Sequence, residues 1–240
     1  MLKTLEAALD IFFPPTCLNC GKKISPSEFL CPACQDFERM PALVCQKCAQ
    51  PLKTVQGANL CSLCRRKNIY FFDRIIAPFV YKNPLSQILK LFKYYHYAYL
   101  GDFLKDKLAD FILQAGFNYK EYDFITYVPM HKTKLREREY NQSKILASKL
   151  SKDLKIELKE LLKAKAYLKS QVTKNKRQRK EEIKDNFSAL ENLKDTRIIL
   201  VDDVVTTGST VSECARALKE KGAKEVAVWA IARNINENPA

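Results

Sequence analysis

The stretch IILVDDVVTTGST, residues 198–210, decides the fold of this 240-residue chain. Its first four residues are apolar and predict a buried strand, and two aspartates follow where open α/β sheets bind their ligands. The hydroxyl-rich TTGST segment then starts a helix, whose backbone N–H groups can hold a phosphate dianion. The glycine lets the backbone approach that phosphate closely. The stretch therefore predicts a ribose-phosphate site at the carboxyl end of a parallel strand.

Each part of this stretch has a predicted role. The carboxylates of Asp202 and Asp203 can accept hydrogen bonds from two ribose hydroxyls and can stabilise a cationic transition state, so they are the predicted catalytic pair. The predicted phosphate-binding residues are Val205, Thr206, Thr207, Gly208, Ser209 and Thr210.

Other kinds of site use similar residues. A receiver domain also has paired aspartates after a strand, but near the start of the domain, and too few residues follow Asp202 to complete one. A Walker loop needs Gly-x-x-x-x-Gly-Lys, which this sequence lacks. Two interpretations stay open: a capped helix with two solvent-facing aspartates, and a related fold that keeps the loop without catalysis.

Outside this stretch, the spacing of apolar residues predicts alternating strands and helices from Phe71 onward. The predicted strands are 75–81, 124–129, 197–201 and 225–232. The predicted helices are 85–91, 100–113, 141–154 and 209–221, the last of them closed by Gly222. Residues 163–185 are basic and weakly periodic, which predicts a long loop or an exposed hairpin. The alternation predicts an α/β fold, a parallel sheet with helices on both of its faces.

Eight of the nine cysteines fall in four Cys-x-x-Cys pairs within the first 70 residues. Such a pair puts two sulfurs on one turn, and two turns complete a closed tetrahedral site for a structural zinc ion. The predicted ligands of two zinc ions are Cys17, Cys20, Cys31, Cys34, Cys45, Cys48, Cys61 and Cys64. Sequential pairing is the simplest arrangement, and a cross-brace of alternate pairs stays open. Residues 1–70 are therefore expected to form a zinc-ribbon module, and residues 71–240 the α/β domain.

The formal net charge is +14, which favours anionic partners such as nucleic acid or phosphorylated metabolites. Near the start, leucines and a phenylalanine repeat at helical spacing with Glu6 and Asp10 among them, so a short docked helix is expected rather than a signal peptide. No apolar run has the length of a transmembrane helix. We therefore expect a cytoplasmic protein, because thiols stay reduced in that compartment.

The 198–210 stretch resembles the fingerprint of type I phosphoribosyltransferases, and its combination with a cysteine-rich N-terminal segment resembles the ComF family. That family pairs a double zinc ribbon with a phosphoribosyltransferase domain and is linked to DNA uptake in competent bacteria. Further stretches that match the family pattern are Val128-Pro129-Met130-His131, 138–142, Gln171, Arg179, Phe187, Ala217-Leu218, Gly222-Ala223 and Ala232-Arg233. Glu139, Leu168 and Glu182 depart from it, and a glycine is expected at the first of these positions.

The resemblance implies a ligand and further site residues. The ligand is phosphoribosyl pyrophosphate (PRPP) or ribose 5-phosphate, and Mg²⁺ accompanies PRPP. Met130, His131 and Lys132 would hold the pyrophosphate, and a mobile basic loop would close over the site during an oxocarbenium-like step. The implied residues of that flexible loop are Gln171, Lys174, Lys176, Arg177 and Arg179. A competence helicase or other DNA-processing proteins are implied as partners.

Three functions are compatible with these residues. They are PRPP binding with transfer of the phosphoribosyl group to an unidentified acceptor, non-catalytic handling of single-stranded DNA, and PRPP sensing by a regulator. The eight Lys and Arg residues at 163–180 favour either an active-site lid or a track for nucleic acid. The aromatic residues at 92–99 fit a stacking platform for single strands or ordinary core packing.

Overall fold

The computed structural model describes residues 14–26, 28–54, 59–66, 69–95, 97–165 and 186–235. The helix expected near the start of the chain and the basic-loop residues Gln171, Lys174, Lys176, Arg177 and Arg179 lie outside these ranges. Across the described part of the chain, no helix combines the length and the apolar character that crossing a bilayer requires.

A parallel sheet forms the centre of the molecule. The strands are β1 (Arg74–Ile76), β2 (Phe79–Val80), β3 (Phe124–Tyr127), β4 (Glu157–Leu158), β5 (Leu162–Ala164), β6 (Phe187–Ala189), β7 (Arg197–Val205) and β8 (Glu225–Arg233). The order in the sheet is β1-β8-β7-β3-β4, with β2 also paired to β8, and these pairings are all parallel. β5 and β6 pair antiparallel outside it, which is the base of a hairpin at the ends of the predicted 163–185 loop.

Helices cover both faces of this sheet, as the alternating pattern predicts. They are α1 (Pro32–Gln35), α2 (Leu85–Tyr94), α3 (Leu100–Gln114), α4 (Lys132–Arg138), α5 (Gln142–Leu154) and α6 (Ser209–Glu220), with a 3-10 turn at Tyr119–Glu121. Ile199 and Val201 of β7 share a buried cluster with α2, α3 and α5. Their neighbours Ile198 and Leu200 share a second cluster with α6. The strand thus alternates its side chains between two apolar cores, as a strand covered on both sides does.

The cysteine-rich segment packs on the same two faces. Cys17, Cys31 and Cys34 belong to the buried cluster of α2, α3 and α5. Cys45, Cys48 and Cys64 belong to the cluster of α6. The boundary at residues 70 and 71 stays a prediction, and apolar packing is continuous across it.

The following elements differ most from the sequence expectation. β7 continues past residue 201 to Val205, because Val204 and Val205 pair with β8, so the aspartates lie inside the strand rather than after it. The strand expected at 75–81 is divided at Pro78, which has no N–H to donate. α4 was not expected, because its one large apolar residue, Leu135, is exposed and gives no helical pattern.

Candidate ribose-phosphate site and zinc centres

The acid pair lies in the last part of β7 and is held by hydrogen bonds from two elements. Oδ1 of Asp202 accepts from the hydroxyl of Ser143, the second residue of α5, at 2.9 Å. The same oxygen accepts from the backbone N–H of Asp203 at 2.9 Å. Oδ1 of Asp203 accepts from the N–H of Val204 at 2.9 Å. Both carboxylates are thus oriented before any ligand arrives.

The start of α5 is fixed by Asn141, which explains why Ser143 reaches the acid pair. The side-chain oxygen of Asn141 accepts from the N–H groups of Ser143 and Lys144 and caps the helix. Its amide nitrogen donates to the carbonyl of Val128, directly after β3, at 3.0 Å. This residue joins the end of β3 to the helix beside β7.

A lysine that no sequence pattern links to this site pairs with the acids. Nζ of Lys93, at the end of α2, lies 2.6 Å from Oδ2 of Asp203, and both side chains are largely buried. Burial opposes a charged lysine, but attraction to Asp203 outweighs burial and raises the pKa of Lys93. The site therefore contains its own buried cation.

The pKa of the Asp202 carboxyl departs from that of an ordinary aspartate. Burial, followed by the negative charge of Asp203, raises its pKa to about 7, although Lys93 and the Ser143 hydroxyl act in the opposite direction. A carboxyl with a raised pKa in an enclosed site is typical of functional acids.

The phosphate loop, residues 206–210, follows the acid pair and leads into α6. Gly208 has φ +83°, the left-handed conformation that favours glycine. The hydroxyl of Thr207 donates to that of Ser209 at 3.0 Å and accepts the Ser209 N–H at 3.3 Å. The residues that line one small concavity here are Asp202, Val204, Val205, Thr206, Thr207, Gly208, Ser209, Thr210 and Val211. Asp202 thus shares one hollow at the start of α6 with the residues predicted to bind phosphate.

Two further residues hold this loop from below. Arg233, the last residue of β8, is 2% exposed and donates to the carbonyls of Val205 and Thr206. The hydroxyl of Tyr70 donates to the carbonyl of Thr207 at 3.0 Å. The Ala232-Arg233 match to the family pattern was the only signal in the sequence for Arg233, and Tyr70 gave none.

The residues expected to bind pyrophosphate follow β3, the strand beside β7, at the same edge of the sheet. Met130 and His131 precede α4, whereas Lys132 is its exposed first residue. Nδ1 of His131 accepts the N–H of Thr133 at 3.2 Å, so this histidine caps the helix. Lys134 is less exposed than Lys132, and burial, with Arg138 and Lys93 nearby, lowers its pKa. Their role in pyrophosphate binding stays a prediction.

The cysteines form two groups of four. Cys17, Cys20, Cys31 and Cys34 make one group, Cys45, Cys48, Cys61 and Cys64 the other, and within each the sulfurs lie within 4.8 Å of one another. This confirms the sequential pairing and rules out the cross-brace. All eight are free thiols, and the sulfur distances within each group of four suit one tetrahedrally bound ion, so each group fits a zinc ion. Among the described residues, groups of three or more metal-ligating side chains occur only at these two places.

Comparisons with known proteins agree with this geometry. The family model for a double zinc ribbon domain matches residues 8–67, and that for a phosphoribosyl transferase domain matches residues 141–238. Competence protein F of Haemophilus influenzae is 28% identical over 230 residues, covering 92% of this chain and 98% of that protein. DNA utilization protein YhgH of Escherichia coli is 27% identical, with the same coverage of both chains. Competence protein ComFC of Streptococcus pneumoniae is 28% identical over 206 residues, covering 85% of this chain and 87% of that protein.

Proposed function

Because the chain belongs to the ComF family, which joins a double zinc ribbon to a phosphoribosyltransferase domain, we propose that it binds PRPP and acts in DNA uptake during natural competence. The observation that carries the proposal is that Asp202, one of the two oriented acids, lines a single hollow together with the hydroxyl-rich loop at the end of β7. The ribose 5-phosphate part of PRPP presents two hydroxyls and a phosphate dianion to match these two parts.

The proposed binding mode uses each part for one group of the ligand. Asp202 and Asp203 accept hydrogen bonds from the ribose hydroxyls, and residues 206–210 surround the 5′-phosphate with N–H groups and hydroxyls. Mg²⁺ supplies neutralising charge to the pyrophosphate when it is bound. The protein carboxylates are already engaged by Lys93 and Ser143, so the donor set fits an ion held mainly by oxygens of the ligand.

The proposed reaction transfers the phosphoribosyl group. The bond between ribose C1 and pyrophosphate breaks, pyrophosphate leaves with the electron pair, and a lone pair of the acceptor forms the new bond to C1. Positive charge develops on the ribose in between, and the buried carboxylates stabilise it. In this proposal Met130, His131, Lys132 and Lys134 hold the departing pyrophosphate with their N–H groups and cations.

The experiment that tests this function combines binding and turnover. The purified protein is titrated with PRPP and Mg²⁺ in a calorimeter, and pyrophosphate release is then assayed against a panel of nucleobase, nucleoside and oligonucleotide acceptors. We expect saturable PRPP binding and acceptor-dependent pyrophosphate release. PRPP binding without pyrophosphate release in the presence of any acceptor would reduce the proposal to PRPP sensing. Absence of binding would contradict the proposal that PRPP is the ligand.

A second candidate function is non-catalytic handling of single-stranded DNA, and one surface near the acid pair favours it. Tyr94 and Tyr95, directly after Lys93, are 58% and 62% exposed. The guanidinium of Arg138 lies 4.6 Å from the ring centre of Tyr94 and donates to its hydroxyl at 2.9 Å. Exposed rings beside cations are the means by which proteins stack and neutralise single strands. DNA-processing proteins of the competence machinery would be its partners in a cytoplasmic role.

Salt dependence distinguishes this candidate from general attraction to a basic chain. The affinity for a labelled oligonucleotide should fall steeply with salt, because phosphate contacts release counterions. Replacing Lys174, Lys176, Arg177 and Arg179 by alanine should flatten the slope, and Tyr94→Ala with Tyr95→Ala should weaken binding at every salt concentration. If the affinity for the oligonucleotide and its salt dependence are unaltered in both variants, neither set of residues forms a DNA-binding surface.

A further inference from the structure

We propose that the second zinc ribbon, formed around Cys45, Cys48, Cys61 and Cys64, sets the conformation of the phosphate loop through Arg233, and that the first ribbon does not. Arg233 would therefore be a positioning residue for ligand phosphate, and the second zinc ion a structural requirement for binding. This inference rests on the proposed function and adds to it a role for one of the two metal centres.

Arg233 joins the metal centre to the loop with a single side chain. Its Nε donates to the carbonyl of Cys48, a ligand of the second site, at 3.0 Å. Its Nη1 donates to the carbonyl of Val205 at 2.9 Å and to that of Thr206, where the phosphate loop begins. The guanidinium is planar and its donors diverge in fixed directions, so it holds these carbonyls in one relative position.

The segment that leads from the second ribbon into β1 gives the loop a second support. Besides donating to the carbonyl of Thr207, Tyr70 stacks on Phe72 with ring centres 4.8 Å apart. Its ring lies so close to Gly208 that a Cβ at that position would come within 3.3 Å of it. The N–H of Phe71 donates to the hydroxyl of Ser212 in α6 at 3.1 Å. Residues 70–72 thus pack directly against the phosphate loop and the start of α6.

The charge of Arg233 gives the metal a direct part in this arrangement. A buried guanidinium is costly unless opposite charge or hydrogen-bond acceptors surround it. Four thiolates on one Zn²⁺ carry a net negative charge, and the guanidinium of Arg233 donates to the backbone of one of these four ligands, so the zinc site lies close enough to compensate the buried cation. Loss of the zinc ion removes that compensation and frees the backbone around Cys48, which accepts the hydrogen bond from Arg233.

The first site has a different environment, which makes it a natural control. Its cysteines pack with Phe37, Leu30 and the helices on the other face of the sheet. Among the hydrogen bonds of the described residues, none joins residues 14–35 to residues 205–210. Loss of the second zinc site should therefore change the conformation of the phosphate loop, whereas loss of the first should not.

The experiment compares Cys61→Ser with Cys20→Ser, since each removes the most exposed ligand of its own site. Zinc content is measured for both, amide hydrogen exchange is followed over residues 206–210 without ligand, and ribose 5-phosphate binding is measured by calorimetry. Cys61→Ser should accelerate exchange in the loop and weaken ribose 5-phosphate binding by about tenfold or more, as loss of a buried charge-assisted contact does. Cys20→Ser should leave both values close to wild type.

Two milder variants keep the test decisive if Cys61→Ser does not fold. Tyr70→Phe removes only the hydrogen bond to Thr207, and Arg233→Lys keeps the charge but cannot reach the carbonyls of Cys48 and Val205 together. Each should accelerate exchange at 206–210 while exchange in α5 stays unchanged, which general loss of stability would not produce. Equal effects of the two cysteine variants, or unchanged loop exchange in Tyr70→Phe and Arg233→Lys, would overturn the inference. Failure of the wild-type protein to bind ribose 5-phosphate would overturn only the proposed function, because the exchange measurements need no ligand.

Discussion

Nζ of Lys93 lies 2.6 Å from Oδ2 of Asp203, so the acid pair of the proposed site already contains a partner cation before ligand binds. Adjacent carboxylates in a buried site repel each other, and one of them tends to take up a proton. The lysine lowers this cost because it favours the ionised form of Asp202 and pairs directly with Asp203. A ribose ligand therefore meets a pair whose charge is partly balanced by the protein itself.

Replacement of Lys93 by methionine should raise the pKa of Asp202 further above its ordinary value, because an attractive charge is lost while burial and Asp203 remain. Carbon-13 NMR of the aspartate carboxyls, followed over pH, measures this directly. At pH 7 the variant should also bind ribose 5-phosphate more weakly, because more of Asp202 is protonated. Lys90→Met is the matched control, since Lys90 is exposed on the same helix. Identical titrations of wild type and Lys93→Met would show that the ion pair has no influence on the acid pair.

Asp202→Asn should change how stability depends on pH. A carboxyl whose pKa is raised by folding stabilises the folded state fully below its unfolded pKa, and this contribution is lost as pH rises through about 7. The variant cannot ionise at this position. Its free energy of unfolding should therefore rise, relative to that of the wild type, by roughly 1 to 2 kcal/mol between pH 5.5 and 7.5. Urea unfolding at several pH values tests this, and zinc release at low pH affects both proteins alike. A difference that stays constant with pH would mean that Asp202 titrates normally.

Glu139→Gly should stabilise the protein. Glu139 ends α4 with φ +64°, a left-handed conformation that costs a residue with a Cβ about 1 kcal/mol or more. Glycine removes that cost, but it also increases the conformational entropy of the unfolded chain, which offsets part of the benefit. We therefore expect the free energy of unfolding to rise by about 0.5 kcal/mol. Glu137→Gly, inside the same helix, should instead destabilise by about 1 kcal/mol. Thermal unfolding of the two variants should therefore shift in opposite directions, and shifts of the same sign would contradict this account of the turn.

Protein purified without added metal should contain about two zinc ions per chain, because both groups of cysteines have closed tetrahedral donor sets. Elemental analysis checks this, and Cys20→Ser should reduce the content to about one. Negligible zinc together with the visible absorbance of an iron–sulfur cluster would contradict the assignment.

The acid pair and the loop could be predicted because their residues are consecutive in the sequence. Asp202, Asp203 and residues 206–210 act within one strand–loop–helix unit, so a short local pattern carries both their chemistry and their conformation. The zinc ligands were also predicted, since two sulfurs of each site lie on one turn. The sequential grouping was the simplest choice, and the close approach of Cys48 and Cys61 sulfurs at 3.7 Å agrees with it.

The residues that tune the site could not be found in this way, because they come from distant parts of the chain. Lys93 stands among aromatic residues that favoured a core or a stacking platform, and its pairing with Asp203 depends on how α2 packs beside β7. Arg233 contacts Cys48 and Val205 only because β8 lies next to β7 and because the second ribbon covers the face of the sheet on which α6 packs. Long-range contacts of this kind are determined by tertiary packing and leave no periodic signal.

Calorimetric titration of PRPP with Mg²⁺ into the wild-type protein and into the Asp202→Asn, Asp203→Asn double variant tests the central claim most directly. The account predicts saturable binding to the wild type and none to the double variant, with zinc content and circular dichroism unchanged. Equal affinity of the two proteins would contradict it, and would mean that the 198–210 stretch forms only a strand and a capped helix.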